Sequence, residues 1–241
     1  MKKFIEFIIE FLIKIFKSKI GNPEPIIDTP ESKKPIEPIK IVNPEPSETE
    51  KGGLFDGSTT EKPNFIHLWK ICKLDEDKLK EVERIGNKIM SHKSRYEVIQ
   101  KATGVPWMLI GSLHQMESDL DFNTCLHNGD KLPGPTINVP AGRGPFKDWE
   151  EAAIDALGMK NKIYAPNGIW TYAYMLEFSE KFNGFGYRSK GIYSPYVWAF
   201  TNISDEKGRY IRDHVFDRES MHKRPGVAAL IYFLSNNLKP T

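Results

Sequence analysis

The stretch VPWMLIGSLHQMESDLD, residues 105–121, joins a long apolar segment directly to three acidic side chains. Pro106 suits the first turn of a helix, so the segment predicts a buried helix that begins there. The apolar side chains on one face of this helix are Leu109, Ile110, Leu113 and Met116. Glu117 follows Leu113 by four residues and Ile110 by seven, so it points the same way. The pattern predicts a carboxylate where a core helix meets a polar loop.

A glutamate in this position is a candidate general acid. Burial disfavours the charged form and raises a carboxyl pKa, and a protonated acid can donate to the leaving oxygen of a glycosidic bond. The alternative is a glutamate that only caps the helix or forms an ion pair, although the helix dipole disfavours an acid at this end. A metal site of His114, Glu117 and His127 is the weaker interpretation, because H-x-x-E is not the H-E-x-x-H pattern of zinc proteases. We therefore predict no metal ligand.

Helical patterns continue through a predicted domain at residues 64–241. Apolar spacing and turn residues predict helices within residues 75–104, 148–158, 168–183 and 226–238, with ends at Gly104, Gly158 and Asn183-Gly184. Residues 122–147 hold four glycines and four prolines and predict an ordered loop or short hairpin. The fold class predicted is mainly α with a small β or loop element.

Composition limits the classes of partner and chemistry. The chain of 241 residues is 39% hydrophobic and 12% aromatic, which is typical of a globular protein. The net charge is only +2 and no run of Lys and Arg occurs in the body of the chain, so no nucleic-acid partner is predicted. Cys72 and Cys125 could form one disulfide or remain free thiols. No C-x-x-C motif is present, and we predict no cofactor.

The first 63 residues differ from the rest. Residues 1–20 combine a wide apolar face with one charged stripe, which predicts an amphipathic helix on a membrane surface or an atypical anchor. A signal-like or spanning segment and a helix that packs on protein are the alternatives. Residues 21–63 predict a flexible linker, since seven of the 17 prolines lie in residues 21–51.

Several motifs occur in an order that resembles a known family. ATGVPWMLIGSLHQMESDLDFNTCLHNGDKL is followed by VPAGRGPF, WEEAAIDAL, FNGFGYRSKGIYSPYVWAFTN and a final apolar helix. Over about residues 85–238 the chain looks like the bacterial and phage lysozyme-family proteins of the lysozyme-like superfamily. The resemblance implies a mostly α-helical lysozyme fold and cleavage of the β-1,4 bond between the sugars of peptidoglycan.

The resemblance also implies roles for individual residues. Glu117, in the ES pair, matches the catalytic glutamate that ends the first core helix of such folds. Asp130 and Thr136 keep the six-residue gap between an aspartate and a threonine in the phage lysozyme pattern. Asp119 and Asp121 compete with Asp130 for the role of second carboxylate. A mechanism with a single acid, as in goose-type lysozymes and lytic transglycosylases, is the other alternative.

A polysaccharide groove needs aromatic rings for sugar faces and polar side chains for sugar edges. The loop-rich segments around Glu117 and in GYRSKGIYSPYVW supply both. The side chains predicted to contact the glycan are His114, His127, Asn128, Arg143, Tyr187, Arg188, Tyr196 and Trp198. Packing in the core is the alternative for several of them.

The function predicted is a membrane-associated peptidoglycan hydrolase whose catalytic domain faces the cell wall, in a bacterial envelope or as a phage lysis or virion protein. Its partners would be the glycan strand and, through residues 1–20, a membrane. The alternatives are a lytic transglycosylase that forms 1,6-anhydro products, a non-catalytic glycan-binding module and a chitinase-type enzyme.

Overall fold

A helix with almost no polar face lies at the centre of the fold. The computed structural model describes residues 41, 62–164, 169–212 and 214–237, without the side chains of 159–164. The described helices are α1 Phe65–Ile71, α2 Leu79–Ser91, α3 Lys93–Thr103, α4 Trp107–Ser118, α5 Trp149–Tyr164, α6 Tyr172–Asn183, α7 Pro195–Trp198 and α8 Val227–Asn236, with 3-10 turns at Glu76–Lys78 and Arg188–Lys190. Two strands, β1 Lys207–Arg212 and β2 Val215–Met221, complete the described elements.

The central helix is α4, in which every residue from Trp107 to Met116 is buried. It packs against α2, α3 and α8, as expected for a helix that is apolar on all sides. Gly111 permits the close crossing with α2, because a Cβ at this position would lie 2.4 Å from Ile89 Cγ2. The surrounding helices therefore hold α4, and Glu117 at its end, in a fixed position.

Local chemistry explains several helix ends. The Asn64 side chain accepts a hydrogen bond from the His67 amide at the start of α1, and the Thr171 side chain accepts one from the Tyr174 amide at the start of α6. Gly104, with φ of 73°, ends α3 in the left-handed conformation. The predicted helix ends at Gly104 and Asn183-Gly184 are confirmed.

The predicted end of a helix at Gly158 is wrong, because α5 continues to Tyr164. A glycine inside a helix costs about 1 kcal/mol relative to alanine but does not remove a hydrogen bond. Gly158 keeps an ordinary negative φ, since it is not among the glycines in the left-handed region. Because the flanking turns of α5 bury Ala152, Ala153, Ala156 and Leu157, packing outweighs this small cost.

The expectation of a mainly α fold with a small β element is confirmed, but the strands lie elsewhere. The strands β1 and β2 form an antiparallel pair at residues 207–221, with Arg209 opposite Asp217. Residues 122–147 contain only isolated bridges, Thr124 with Lys131 and Gly134 with Phe146. Prolines donate no ladder hydrogen bond, so the four prolines of this loop prevent a continuous hairpin.

Most of the predicted N-terminal helix and linker lies outside the described residues. Within the predicted linker, Ile41 is half-buried, forms a parallel bridge with Trp170 and packs against the core. Cys72 and Cys125 are both free and buried, and burial raises the pKa of the Cys72 thiol to about 12. In the described part of the chain, no helix is long and apolar enough to cross a membrane.

Candidate active site

Glu117 lies in the last turn of α4, half-buried, where the helix ends in a strained reversal. Asp119 and Leu120 follow with φ of 52° and 63°, and their amides donate to the carbonyl oxygens of Gln115 and His114. Aspartate tolerates the left-handed region, whereas a bulky leucine rarely adopts it. The buried side chain of Leu120 holds this conformation in place. Strain of this kind often accompanies a functional site, and here it lies three residues from the carboxylate.

Tyr196, on α7, is the hydrogen-bond partner of Glu117. Its Oη donates to Glu117 Oε1 at 2.6 Å. Burial, followed by the neighbouring Glu117 charge and this hydrogen bond, raises the pKa of the Tyr196 phenol well above its usual value. The phenol is therefore a permanent donor at physiological pH. Tyr196 was predicted to contact sugar, which stays a prediction; its hydroxyl holds the candidate acid.

Asp130 is held in a different way. Its Oδ2 accepts hydrogen bonds from the amides of Ile137 and Asn138 at 2.7 and 2.8 Å, and its Oδ1 accepts one from Asn138 Nδ2 at 2.5 Å. Burial acts to raise the pKa of Asp130, but these bonds favour the ionised form and the pKa lies below its usual value. Asp130 therefore connects two sides of its loop through hydrogen bonds to Ile137 and Asn138.

The loop that carries Asp130 packs close to Glu117. A Cβ placed on Gly129 would lie 3.6 Å from the Glu117 carbonyl oxygen, and Gly129 has φ of 76°. Asn128 contributes to this tight turn, since its Oδ1 accepts from the Asp130 amide and its Nδ2 donates to the Asn138 carbonyl oxygen. Asn128 thus shapes the loop beside Glu117.

Thr136 is also committed to the loop. Its hydroxyl donates to the Pro140 carbonyl oxygen at 2.5 Å and accepts from the Arg143 amide at 2.9 Å. The residue is buried. Thr136 was predicted to be catalytic, but its hydroxyl is already hydrogen-bonded to backbone groups on both sides.

His127 and Arg143 meet at a residue that the sequence did not single out. His127 Nε2 lies 2.9 Å from Asp155 Oδ2, and the Arg143 guanidinium pairs with both oxygens of the same carboxylate. The Arg143 pair holds the pKa of Asp155 below its usual value. These contacts join the 122–147 loop to α5. The spacing of Asp155 in WEEAAIDAL gave no signal of this role, because both partners come from another segment.

His114 does not line a groove, contrary to prediction. Its side chain is completely buried, with Nδ1 3.1 Å from Tyr96 Oη and Nε2 3.2 Å from the Asp121 carbonyl oxygen. Burial lowers its pKa to about 4. Because both ring nitrogens have partners, His114 is a satisfied core histidine.

Trp198 lies in the interior, which corrects its prediction as a sugar contact, whereas Tyr187 lines a cleft and the sugar contacts of Tyr187 and Arg188 stay predictions. Trp198 is 1% exposed and its ring stacks against Phe65. Tyr187 is 8% exposed, and its hydroxyl accepts from the Tyr210 amide. Arg188 pairs with the buried Glu180. Part of the aromatic density in this segment therefore reflects packing, as for Trp198.

A cleft of about 980 Å³ adjoins this region. We call it the basic cleft. Its walls come from α2, the end of α4, the α7 segment and the β1–β2 hairpin, and Tyr196 is part of its lining. Its charged side chains are Arg84, Lys88, Arg209, Arg212, Lys223 and Arg224 against Glu81 and Asp119. Sequence patterns did not single out the hairpin side chains, although the aromatic and β-branched residues in RYIR and VFDR favour strands.

Among the residues with described positions, no group of three or more His, Cys, Asp and Glu side chains could hold a metal ion. In comparisons with protein-family models, curated proteins and solved structures, the chain matched none.

Proposed function

We propose that the protein cleaves the β-1,4 glycosidic bond of peptidoglycan strands with Glu117 as general acid. The observation that carries the proposal is the 2.6 Å hydrogen bond from Tyr196 Oη to Glu117 Oε1, at a strained end of a buried helix. A rigid core helix and a buried phenol together fix one carboxylate in position, as a proton donor requires. The resemblance of the ES motif to the lysozyme-like proteins supports the same assignment.

The hydrogen bond also supports one of the two carboxyl oxygens, Oε2, as the proton donor. Since Oε1 accepts from Tyr196, the acidic hydrogen of protonated Glu117 belongs on Oε2. That hydrogen moves to the glycosidic oxygen as the C1–O bond breaks, and the leaving sugar departs as a neutral alcohol. A water oxygen or the substrate's own C6 hydroxyl oxygen then bonds to C1, and its proton passes to the ionised Glu117, which regenerates the acid and leaves a reducing or a 1,6-anhydro end respectively.

A lytic transglycosylase is the second candidate, and the contacts of Asp130 favour it. Three N–H groups occupy the oxygens of this carboxylate. An inverting hydrolase needs a base to activate water and a retaining enzyme needs a nucleophile, whereas the transglycosylase reaction needs one acid. The competing carboxylates are also engaged: Asp119 accepts from Gln115 Nε2, and Asp121 accepts from Asn123.

The proposed location follows from the first 63 residues. An amphipathic helix at residues 1–20 would hold the protein at a membrane, and residues 21–63 would extend the domain toward the wall. Extended chain of this composition spans about 3 Å per residue.

Mass spectrometry of the soluble products from purified peptidoglycan tests the proposal. The digests compare wild type, Glu117→Gln and a matched control, Glu97→Gln, which removes a carboxylate on the surface of α3. Reducing fragments from wild type and the control alone support a hydrolase, and 1,6-anhydro fragments support the transglycosylase. Equal release by folded Glu117→Gln would refute the site, and no release by wild type would favour a glycan-binding module.

A further inference from the structure

The basic cleft concentrates the positive charge of the protein. Six basic side chains and two acidic ones line it, whereas the whole chain has 34 basic and 32 acidic residues. Both acidic side chains are paired with bases of the cleft itself, Glu81 with Arg84 at 2.7 Å and Asp119 with Arg224 at 3.4 Å. In the described part of the chain, these two pairs leave the other four bases of the cleft without an ion pair.

The remaining bases come from opposite walls. Lys88 lies on α2, while Arg209 and Arg212 lie on β1 and Lys223 follows β2. Within the described ranges, no carboxylate lies within 4 Å of these four side chains. Like charges that face one another across a concave surface repel each other and focus a positive potential inside it. Such a cleft is suited to an anionic ligand.

The basic cleft shares a wall with the candidate acid. Tyr196 lines it and donates to Glu117, although Glu117 itself is not part of the lining. Gln115, Met116 and Asp119, from the end of α4, line it as well. A polymer whose scissile bond lies at Glu117 would therefore bring its substituents to the basic cleft.

We propose that the basic cleft binds the carboxylate groups of the peptide substituents on the glycan strand, so that the enzyme acts on peptide-bearing peptidoglycan rather than on neutral glycan. This inference rests on the proposed function, because it is the glycan at Glu117 that places peptides here. The volume of about 980 Å³ is at the upper end for ligand pockets and accommodates a peptide branch. Lysine and arginine on both walls recognise carboxylates by charge-assisted hydrogen bonds.

The test measures binding of the full chain to three polymers in the Glu117→Gln background, in which the polymer stays intact. The first is peptidoglycan freed of phosphate polymers with hydrofluoric acid, the second is the same material with its carboxylates amidated, and the third is cell wall that retains phosphate polymers. The cleft variant is Lys88→Glu/Lys223→Glu. The control is Lys80→Glu/Lys101→Glu, at exposed positions outside the lining. In the Glu117→Gln background, whose net charge is +3, both variants change the net charge by −4, to −1.

We expect the cleft variant to bind the phosphate-free peptidoglycan about tenfold more weakly than the control, since each exposed charge contact contributes modestly. Amidation should weaken the control by a similar factor and leave the cleft variant unchanged, and added salt should reduce the difference. Equal binding by both variants, or a difference seen only with phosphate-bearing wall, would overturn the proposal. An oligonucleotide that competes better than the wall peptides would overturn it as well.

This design separates the two proposals. If binding depends on the carboxylates but the wild-type protein releases no fragments, the proposed catalysis is refuted and a binding site for anionic glycan is retained. Wild-type cleavage at equal rates on native and amidated peptidoglycan would retain the catalysis and refute the peptide-binding role. Thermal unfolding of both charge variants establishes that each is folded.

Discussion

The end of α4 and the 122–147 loop each present a carboxylate, and the two are held in opposite ways. Glu117 extends from a helix whose preceding ten residues are all buried, and its Oε1 accepts a hydrogen bond from a phenol 79 residues away. Asp130 accepts three hydrogen bonds from residues seven and eight positions away in the same loop. One carboxylate is positioned by tertiary packing, and the other organises its own segment.

The difference indicates that the hydrogen-bond partners of an acidic side chain determine whether it can serve as a proton donor or stabilises its loop. Asp130 is kept ionised by N–H donors, so it stabilises the loop that packs beside Glu117. Glu117 has a rigid backbone and a partner that stays protonated. A candidate proton donor and a candidate structural aspartate can therefore be distinguished before any activity is measured.

The strongest test of this comparison is Glu117→Gln. We expect cleavage of peptidoglycan to fall by about 10²- to 10⁴-fold, because general acid catalysis contributes this much. The amide keeps the shape of the side chain, so thermal unfolding should remain close to that of wild type. A folded variant with unchanged product release would remove the basis of the comparison.

The next largest effect is expected on stability, from His114, which is buried in the helix that carries Glu117. Because the folded pKa of His114 is about 4 and an unfolded histidine titrates near 6.5, the unfolded state binds the proton first. The free energy of unfolding should therefore fall by up to about 3 kcal/mol as pH drops from about 7 to about 4, with little further change below. Urea unfolding across this range measures the loss.

NMR of the His114 ring checks the cause directly. A ring that titrates near pH 6.5 in the folded protein would show that α4 does not exclude water at this position. In that case the rigid support inferred for Glu117 would be lost.

Tyr196→Phe tests the contact that distinguishes Glu117 from Asp130. Removal of the hydroxyl should reduce kcat about tenfold and change KM little, since the phenol positions the acid rather than the substrate. It should also move the basic limb of the pH–rate profile to higher pH, because the loss of a donor to the Glu117 carboxylate favours its protonated form. Tyr174→Phe, on α6, removes the same hydroxyl group at an exposed position outside the site and is the matched control. An unshifted profile with raised KM would assign Tyr196 to substrate binding.

Asp130→Asn is expected to have the smallest effect on chemistry. Activity per folded molecule should change by less than about tenfold, while the melting temperature at pH 7 should fall because Asn presents an N–H to the loop donors. A depressed carboxyl pKa contributes stability that is present above pH of about 4 and is lost as pH falls. The variant should therefore lose less stability than wild type between about pH 5 and 2.

The opposite result for Asp130 would change the mechanism. A large loss of cleavage with an unchanged melting temperature would make Asp130 a second chemical group. The hydrolase would then be favoured over the transglycosylase.

Sequence patterns predicted the helices and the position of Glu117 at the end of a buried one, because a long apolar run reports burial without reference to partners. They did not predict the interior positions of His114 and Trp198 or the shared partner of His127 and Arg143. Polar and aromatic side chains occur both in cores and in grooves, so their residue type does not determine their exposure.

The sequence by itself determined the mainly helical class, the helix ends at Gly104 and Gly184, and a glutamate that follows an apolar helix. These features depend on backbone preferences and on side chains within a few turns of one another. Only the tertiary structure decided that Tyr196 donates to Glu117, that Asp130 braces its loop, and that bases from α2 and the β1–β2 hairpin face each other. Such contacts join segments far apart in the chain, and their formation depends on how the helices pack around α4.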